Sequence, residues 1–326
     1  MVDHIPVLRE EAVALLAPQE GGLYVDATFG GGGYSRAILN AAHCRVLALD
    51  CDPEAMSRAE LLEKEFEDRF SFLPVNFCYL EKILRGQICY GVVFDLGVSS
   101  FQLEDGERGF SFQHDGPLDM RMSKKGLSAE EVVNTYSEEE LRQIIALYGE
   151  ERYARRVASA IIRGRGERAI MTTKALAEII RKVVPRQGKI DPATKTFQAL
   201  RIFVNDELKC LQQALEGIEK MVKEGPSSSL RVVTVAFHSL EDRLIKNWMR
   251  QQAAESNDAL LPVKRLREPE LAWECSTHRV ITPSVEEVQH NPRSRSARLR
   301  AVTLTRLKDV KKKVTADMTQ LVKEGA

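Results

Sequence analysis

No apolar run among these 326 residues approaches the roughly 20 needed to cross a bilayer, so no membrane-spanning helix is expected. The opening Met1-Val2-Asp3-His4-Ile5-Pro6 lacks a basic stretch followed by an apolar one, so it does not read as a secretory signal. The six cysteines form no Cys-x-x-Cys pair, and no His-x-x-x-His accompanies them. Neither a zinc site nor a disulfide framework is therefore expected, and scattered reduced thiols of a cytoplasmic protein are the simpler reading. Internal repeats are absent as well. Net charge is zero, which by itself says nothing about nucleic acid.

Apolar residues, at 44%, supply enough material for a packed core, and disorder of the whole chain is excluded. The length suggests two domains, or one large domain carrying an insertion. Charge is unevenly spread. Arg152 to Arg201 holds 13 Lys and Arg against three Asp and Glu, and Asn291 to Lys313 holds nine against one. Such segments suit a localised anionic partner, or equally solvated helix faces and a charged tail.

Leu23–Ala27, Arg45–Asp50 and Gly91–Asp95 are short, nearly continuous apolar runs, with a weaker run at Ser71–Val75. Spaced by helical stretches, they predict parallel strands covered on both faces, the start of a doubly wound α/β sheet. From about Gly109 to Asn205 the pattern turns helical. Ser137-x-x-Glu140 is a capping box ahead of Leu141, Ile144, Ile145 and Tyr148, with Gly149 expected just past the helix end. Thr173 is expected to cap the next-but-one helix, and Asp191-Pro192 to open a longer helical region. One apolar stripe there runs from Phe197 through Leu200, Val204, Leu208, Leu211, Leu215 and Ile218 to Val222. Leu230–Phe237 then predicts a central strand, and Leu299–Thr305 an edge or antiparallel one. The sheet thus resumes after a helical insertion, and the chain beyond about Lys308 reads as a frayed tail.

The first strand leads into Asp26-Ala27-Thr28-Phe29-Gly30-Gly31-Gly32-Gly33-Tyr34-Ser35. Glycines there let a backbone pass close to a ligand. Asp50, at the end of the next strand, is placed to accept from both ribose hydroxyls of an adenosine; a flexible turn with a capping Asp50 is the alternative. The spacing departs from Gly-x-Gly-x-x-Gly, since Ser35 holds the third position. Asp26 fits poorly beside a pyrophosphate and suits a cation such as S-adenosylmethionine. Phe77 reads either as a platform for adenine or as a core aromatic. Asp95 ends the Gly91–Asp95 strand and should face the same crevice. Methyl transfer to an exocyclic amine needs acceptors at the amine N–H groups, and Asp95 supplies one; capping of the following turn is its other reading. His238 should reach the same edge, as a substrate contact, a proton relay or a turn histidine bonded to backbone.

Taken in order, these residues resemble the ribosomal small-subunit RNA (cytosine-N4-)methyltransferase H family. The likeness runs from His4-Ile5-Pro6-Val7-Leu8 through the glycine loop, Asp50-Cys51-Asp52-Pro53 and Asp95-Leu96-Gly97-Val98-Ser99-Ser100-Phe101-Gln102-Leu103. It continues in Arg108-Gly109-Phe110-Ser111-Phe112, Pro117-Leu118-Asp119-Met120-Arg121-Met122 and Pro192-Ala193-Thr194-Lys195-Thr196-Phe197-Gln198-Ala199-Leu200-Arg201-Ile202. Phe237-His238-Ser239-Leu240-Glu241-Asp242-Arg243 and Asn291-Pro292-Arg293-Ser294-Arg295-Ser296 complete it, so it covers nearly the whole chain.

The resemblance implies an α/β fold, a class I S-adenosylmethionine-dependent methyltransferase with a Rossmann-like doubly wound sheet and an inserted helical domain. Residues 1–108 and 206–326 would form the methyltransferase domain, the second part ending in a basic tail, and residues 109–205 the substrate-recognition domain. It implies S-adenosyl-L-methionine as cofactor and N4 of a decoding-centre cytidine as acceptor, in small-subunit ribosomal RNA or the assembled subunit. The enzyme would be cytoplasmic, a monomer or homodimer, with no metal. The cofactor contacts implied are Gly32, Gly33, Tyr34, Asp50, Phe77, Asp95 and Gln102. Asp95 and His238 are the catalytic candidates, and Arg155, Arg156, Arg201 and Arg243 the substrate-side ones. Tyr34 stands where the family usually has histidine, Asp191 likewise, and Lys195 where it usually has arginine. Thr194, Gln198, Arg201 and Asn205 share one polar stripe, which reads as cleft-facing or as a solvated helix face. A nicotinamide-dependent oxidoreductase and a non-catalytic RNA-binding assembly factor are the competing functions. The glycine loop, Asp50 and Asp95 together argue against the latter.

Overall fold

The computed structural model describes residues 6–186, 188, 190–257, 271–277 and 279–307. The tail expected after about Lys308, and His4-Ile5 of the first motif, lie outside the described residues. The chain divides into two compact units. One comprises the described parts of Met1–Gly97 and Cys210–Ala326, the other Val98–Lys209.

The first unit is built on a seven-stranded sheet: β1 (Leu23–Asp26), β2 (Arg45–Leu49), β3 (Phe70–Leu73), β4 (Gly91–Asp95), β5 (Ser229–Ala236), β6 (Leu271–Cys275) and β7 (Arg298–Arg306). Their order is β3-β2-β1-β4-β5-β7-β6. The first five strands run parallel. β7 is antiparallel to β5 on one side and to β6 on the other, so it is an inner strand rather than an edge. The run Leu271-Ala272-Trp273-Glu274-Cys275, in which sequence patterning suggests no strand, supplies the true edge.

Successive side chains on a strand point to opposite faces, and here both faces are buried. Val25, Val92, Phe94 and Val232 enter one apolar cluster; Tyr24, Val46, Val93 and Val233 enter the other. Helices α1 (Arg9–Leu16), α2 (Gly33–Ala41) and α3 (Ala55–Phe66) cover the second face with Leu16, Ile38 and Leu62. The one-turn helix α4 (Leu80–Ile83) contributes Leu80 to the first. In such a sheet, ligands lie outside the carboxyl ends of the strands, where the strand order reverses, here between β1 and β4.

The second unit is helical, with α5 (Ser100–Glu104), α6 (Ala129–Thr135), α7 (Glu138–Gly149), α8 (Ala154–Glu167), α9 (Thr173–Arg181) and α10 (Thr194–Val204). Its core gathers Leu141, Ile145, Val157, Ile161, Leu176, Ile180, Phe197 and Leu200. Ser137 and Glu140 close the expected capping box on α7. Gly149 is not the left-handed residue beyond that helix; Glu150 is, at φ 46°. Gly149 is instead the last helical residue, and a Cβ there would meet the Lys195 carbonyl oxygen at 2.6 Å. The cap of α9 is Thr172, whose hydroxyl accepts from Ala175 N–H, and Thr173 is the first helical residue. Asp191 accepts from Ala193 N–H ahead of α10.

The expected single stripe from Phe197 to Val222 is broken. α10 ends at Val204, and α11 (Glu207–Glu224) begins after Asp206, which sits at φ 51°. α11 leads back to the first unit, where α12 (Ser239–Asn257) and the short α13 (Val285–His290) complete the helices.

Candidate active site

Three carboxylates end three neighbouring strands. Asp26 closes β1 and is fully buried. One of its oxygens accepts from Thr28 N–H at 3.3 Å, the other from Ser35 N–H at 3.1 Å and Ser35 Oγ at 2.7 Å. Asp26 therefore pins both ends of the glycine loop. Asp50 follows β2 and accepts from Gly30 N–H and Asp52 N–H, each at 2.8 Å. Arg58 Nε donates to the Gly30 carbonyl at 2.8 Å, so Gly30 is gripped on both sides. An ionised carboxylate has about four acceptor sites, so Asp50 retains capacity for ribose hydroxyls. Gly32 has φ 78°, and a Cβ there would lie 2.8 Å from the Phe29 ring; the position demands glycine on both counts.

Asp95 ends β4. Its N–H donates to Thr28 Oγ1 at 2.6 Å, because β1 has already turned into the loop and a hydroxyl stands in for the missing ladder carbonyl. Asp95 Oδ1 is buried and has no hydrogen-bond partner. Burial pushes the Asp95 carboxyl well above the usual carboxylate range, and the charges of Asp26 and Glu241 push it further. Burial likewise raises Asp26 to about 6, against the pull of its Ser35 and Thr28 hydrogen bonds, and raises Asp50. Three acids strained upward in this way favour a cation among them, and an orphaned acceptor favours a donor. A ligand bearing an ammonium and a sulfonium fits that set; a pyrophosphate does not.

Phe77 opens a single 3-10 turn, half-buried, its ring edge-on to Phe94 at 5.6 Å. Gly33 and Tyr34 open α2, which has no side-chain cap. The Tyr34 side chain is buried, and its hydroxyl donates to the Val7 carbonyl. Burial and the neighbouring Asp95 and Asp26 charges hold that phenol well above its ordinary range, so it stays a neutral donor. Leu8 N–H in turn donates to Glu287 Oε1 on α13 at 2.8 Å. The segment Val7-Leu8 is thus tied at two points, once to the loop helix and once to a helix from the far end of the sequence.

His238 lies between β5 and α12. Its Nδ1 accepts from Glu241 N–H at 3.3 Å, while Glu241 Oε2 accepts from Phe237 N–H at 2.9 Å and His238 N–H at 3.3 Å. This is a capping box with histidine in the place of serine. Thr28 and Glu241 are functional candidates that motif reasoning passed over. The signals were there: a threonine where β1 leaves the ladder, and His-x-x-Glu at capping-box spacing. Arg243 is exposed near the start of α12.

The remaining candidates lie in the second unit. Gln102 is buried and closes a capping box with Ser99 on α5. Arg155 and Arg156 are exposed on α8, and the Arg152 and Arg156 guanidinium groups lie 5.5 and 5.3 Å from the Tyr153 ring centre. The polar stripe on α10 is largely engaged within the unit. Gln198 donates to the Tyr148 carbonyl, and Asn205 bonds Met122 N–H and the Met120 carbonyl. Arg201 is held bidentate by Glu207, both contacts 2.8 Å, bracing the break between α10 and α11.

The model of the MraW methylase family matches residues 1–305. Ribosomal RNA small subunit methyltransferase H of Paramagnetospirillum magneticum is 49% identical over 311 residues, covering 93% of this chain and 96% of the relative. The protein of the same name from Afipia carboxidovorans is 48% identical over 307 residues, covering 93% and 90%. That of Rickettsia typhi is 46% identical over 307 residues, covering 91% and 97%.

Proposed function

The chain belongs to the MraW methylase family and is a methyltransferase, and on that premise we propose that it methylates N4 of a cytidine in the decoding centre of small-subunit ribosomal RNA. Its methyl donor is S-adenosylmethionine, which when bound supplies an electrophilic methyl group on a sulfonium. Family membership removes the oxidoreductase alternative. The observation that carries the reading of the acceptor is the buried, unpartnered Oδ1 of Asp95 at the carboxyl end of β4.

An exocyclic amine on cytosine is a poor nucleophile because its lone pair is delocalised into the ring. Asp95 accepts one amine N–H and so favours the pyramidal, nucleophilic form. The proton to be lost afterwards is acidic, and the Asp95 carboxylate or water takes it. Thr28 holds the Asp95 backbone in place throughout. Asp50 would hold the ribose of the donor and Phe77 would offer its ring to the adenine, with Gly32, Gly33 and Tyr34 supplying backbone. Asp26 and Asp95 provide the negative surroundings a sulfonium requires.

The target cytidine must be unstacked for its amine to reach the donor. Arg155 and Arg156 contact phosphates, within the basic segment from Arg152 to Arg201. Arg243 joins them as a substrate-side group, whereas Arg201 acts by bracing the helix on which it sits. Among the described residues no helix is long and apolar enough to cross a membrane. A cytoplasmic place of action is part of the proposal, since it would put the enzyme with its ribosomal RNA substrate.

Mass mapping of small-subunit RNA from cells lacking the protein tests the proposal. One decoding-centre cytidine should be a methyl group lighter and regain it when the wild-type gene is restored, but not with Asp95→Asn. A methyl on C5 rather than N4, told apart by chromatography of the isolated nucleoside against the two isomeric standards, or an unchanged map, would reject the reading.

A further inference from the structure

Two polar atoms at the carboxyl edge of the sheet are shielded from solvent yet lack hydrogen-bond partners: Asp95 Oδ1 and His238 Nε2. Asp95 and Val235 are register partners on adjacent parallel strands, and His238 follows Val235 by three residues. Both side chains therefore leave the sheet at the same end of neighbouring strands. Their hydrogen-bonding characters are opposite. His238 Nδ1 accepts from Glu241 N–H, so the neutral ring carries its proton on Nε2. Glu241 Oε1 is 3.1 Å from Nε2 but forms no hydrogen bond with it, which leaves that donor unmatched. A buried polar group without a partner is costly, and such groups mark places where a ligand completes the bonding.

An acceptor beside a donor is the complement of an edge that offers a donor beside an acceptor. Cytosine offers that order on its Watson–Crick edge, the N4 amine next to N3. We propose that His238 is a specificity-determining residue whose Nε2–H donates to N3 of the target cytosine while Asp95 accepts from N4. The inference rests on the N4-cytidine reading above. Uracil and guanine present the reverse order, a carbonyl next to an N–H, and would set like against like at both contacts. Adenine presents the same order as cytosine, so the pair separates cytosine from uracil and guanine only. His238 then needs no proton-relay role; its capping bond fixes the tautomer that makes it a reader.

The test pairs a variant with a base analogue. His238→Asn keeps an N-cap side chain able to accept from Glu241 N–H, since asparagine is a preferred cap, and removes the Nε2 donor. Small-subunit RNA carrying 3-deazacytidine at the target keeps the amine and replaces N3 by C–H. Wild-type enzyme should lose about ten- to a hundredfold in kcat/KM on the analogue, the scale of leaving a buried donor unpaired. The folded variant should lose a similar factor on cytidine and little more on the analogue. Binding of the same two RNAs, measured with S-adenosylhomocysteine present, should follow the same pattern, whereas a merely structural cap would leave the analogue's penalty intact. The altered amine basicity of the analogue cancels in the comparison, because both enzymes meet it. Equal penalties for wild type and variant would overturn the assignment. No methylation of cytidine-containing RNA by wild-type enzyme would instead reject the substrate reading beneath it.

Discussion

At the scale of single residues, the acids of the cofactor crevice do two jobs each. Asp50 both anchors Gly30 and is the proposed ribose acceptor, so Asp50→Ala removes charged hydrogen bonds worth about 1.5–3 kcal/mol apiece. Calorimetry should find S-adenosylmethionine bound at least about tenfold more weakly by a folded variant; unchanged affinity would reject the ribose role. Asp26, held up to about 6, and Asp95, raised well above the usual carboxylate range by burial, give the site a pH signature. A bound cation favours their ionised forms and lowers both values. Binding should therefore release protons, and affinity should rise as pH climbs through about 6. Titrations in two buffers of different ionisation enthalpy measure that release; none at pH 6 would contradict the arrangement. Without ligand the sign is opposite for the fold itself. A carboxyl raised above its unfolded value binds its proton more tightly when folded, so Asp26 stabilises the fold most at low pH. That contribution fades as pH rises from about 4 through 6.

At the scale of elements, close approach explains what patterning did not. Gly149→Ala would drive a methyl group into the Lys195 carbonyl, and overpacking of this kind costs about 1–3 kcal/mol. Urea denaturation should show the loss with the slope unchanged; a stable variant would mean that α7 and α10 separate easily. In the sequence, Gly149 looked like a helix stop because glycine is common there, and only the facing backbone distinguishes the two roles. The four inner parallel strands were legible because burial on both faces demands nearly unbroken apolar runs, whereas β3, at the edge and half exposed, gave only a weak one. β6 was not, since Leu271–Cys275 mixes Trp273 and Glu274 without alternation and becomes a strand by pairing with β7. The break between α10 and α11 was hidden by an apolar stripe that continues across it; the backbone at Asp206 decides it, with Arg201 and Glu207 bridging the corner. Asp26, Asp50 and Asp95 could be placed from the strand ends alone. Thr28 and the His238-x-x-Glu241 pair carried a signal of position and spacing, but the bond from Asp95 N–H to Thr28 Oγ1 is set only when β1 and β4 pair.

At the scale of the whole molecule, a neutral total conceals a strongly basic helical segment. Arg155→Ala with Arg156→Ala should weaken binding of small-subunit RNA and flatten its dependence on salt, because fewer counterions are released, while donor affinity stays unchanged. A wild-type salt slope in the double variant would reduce these arginines to a solvated face and move the RNA path elsewhere, with Arg293–Arg300 the next place to look. The tie from Tyr34 to Val7 and from Leu8 to Glu287 has a consequence in the order of synthesis. The helical unit is continuous in sequence and can fold as it emerges. The sheet unit cannot be finished at that point, since its seventh strand and the Glu287 anchor follow the helical unit in the chain. A growing chain that has not yet reached Glu287 and β7 therefore lacks both the anchor of the Val7-Leu8 segment and a strand of the sheet that carries the three acids.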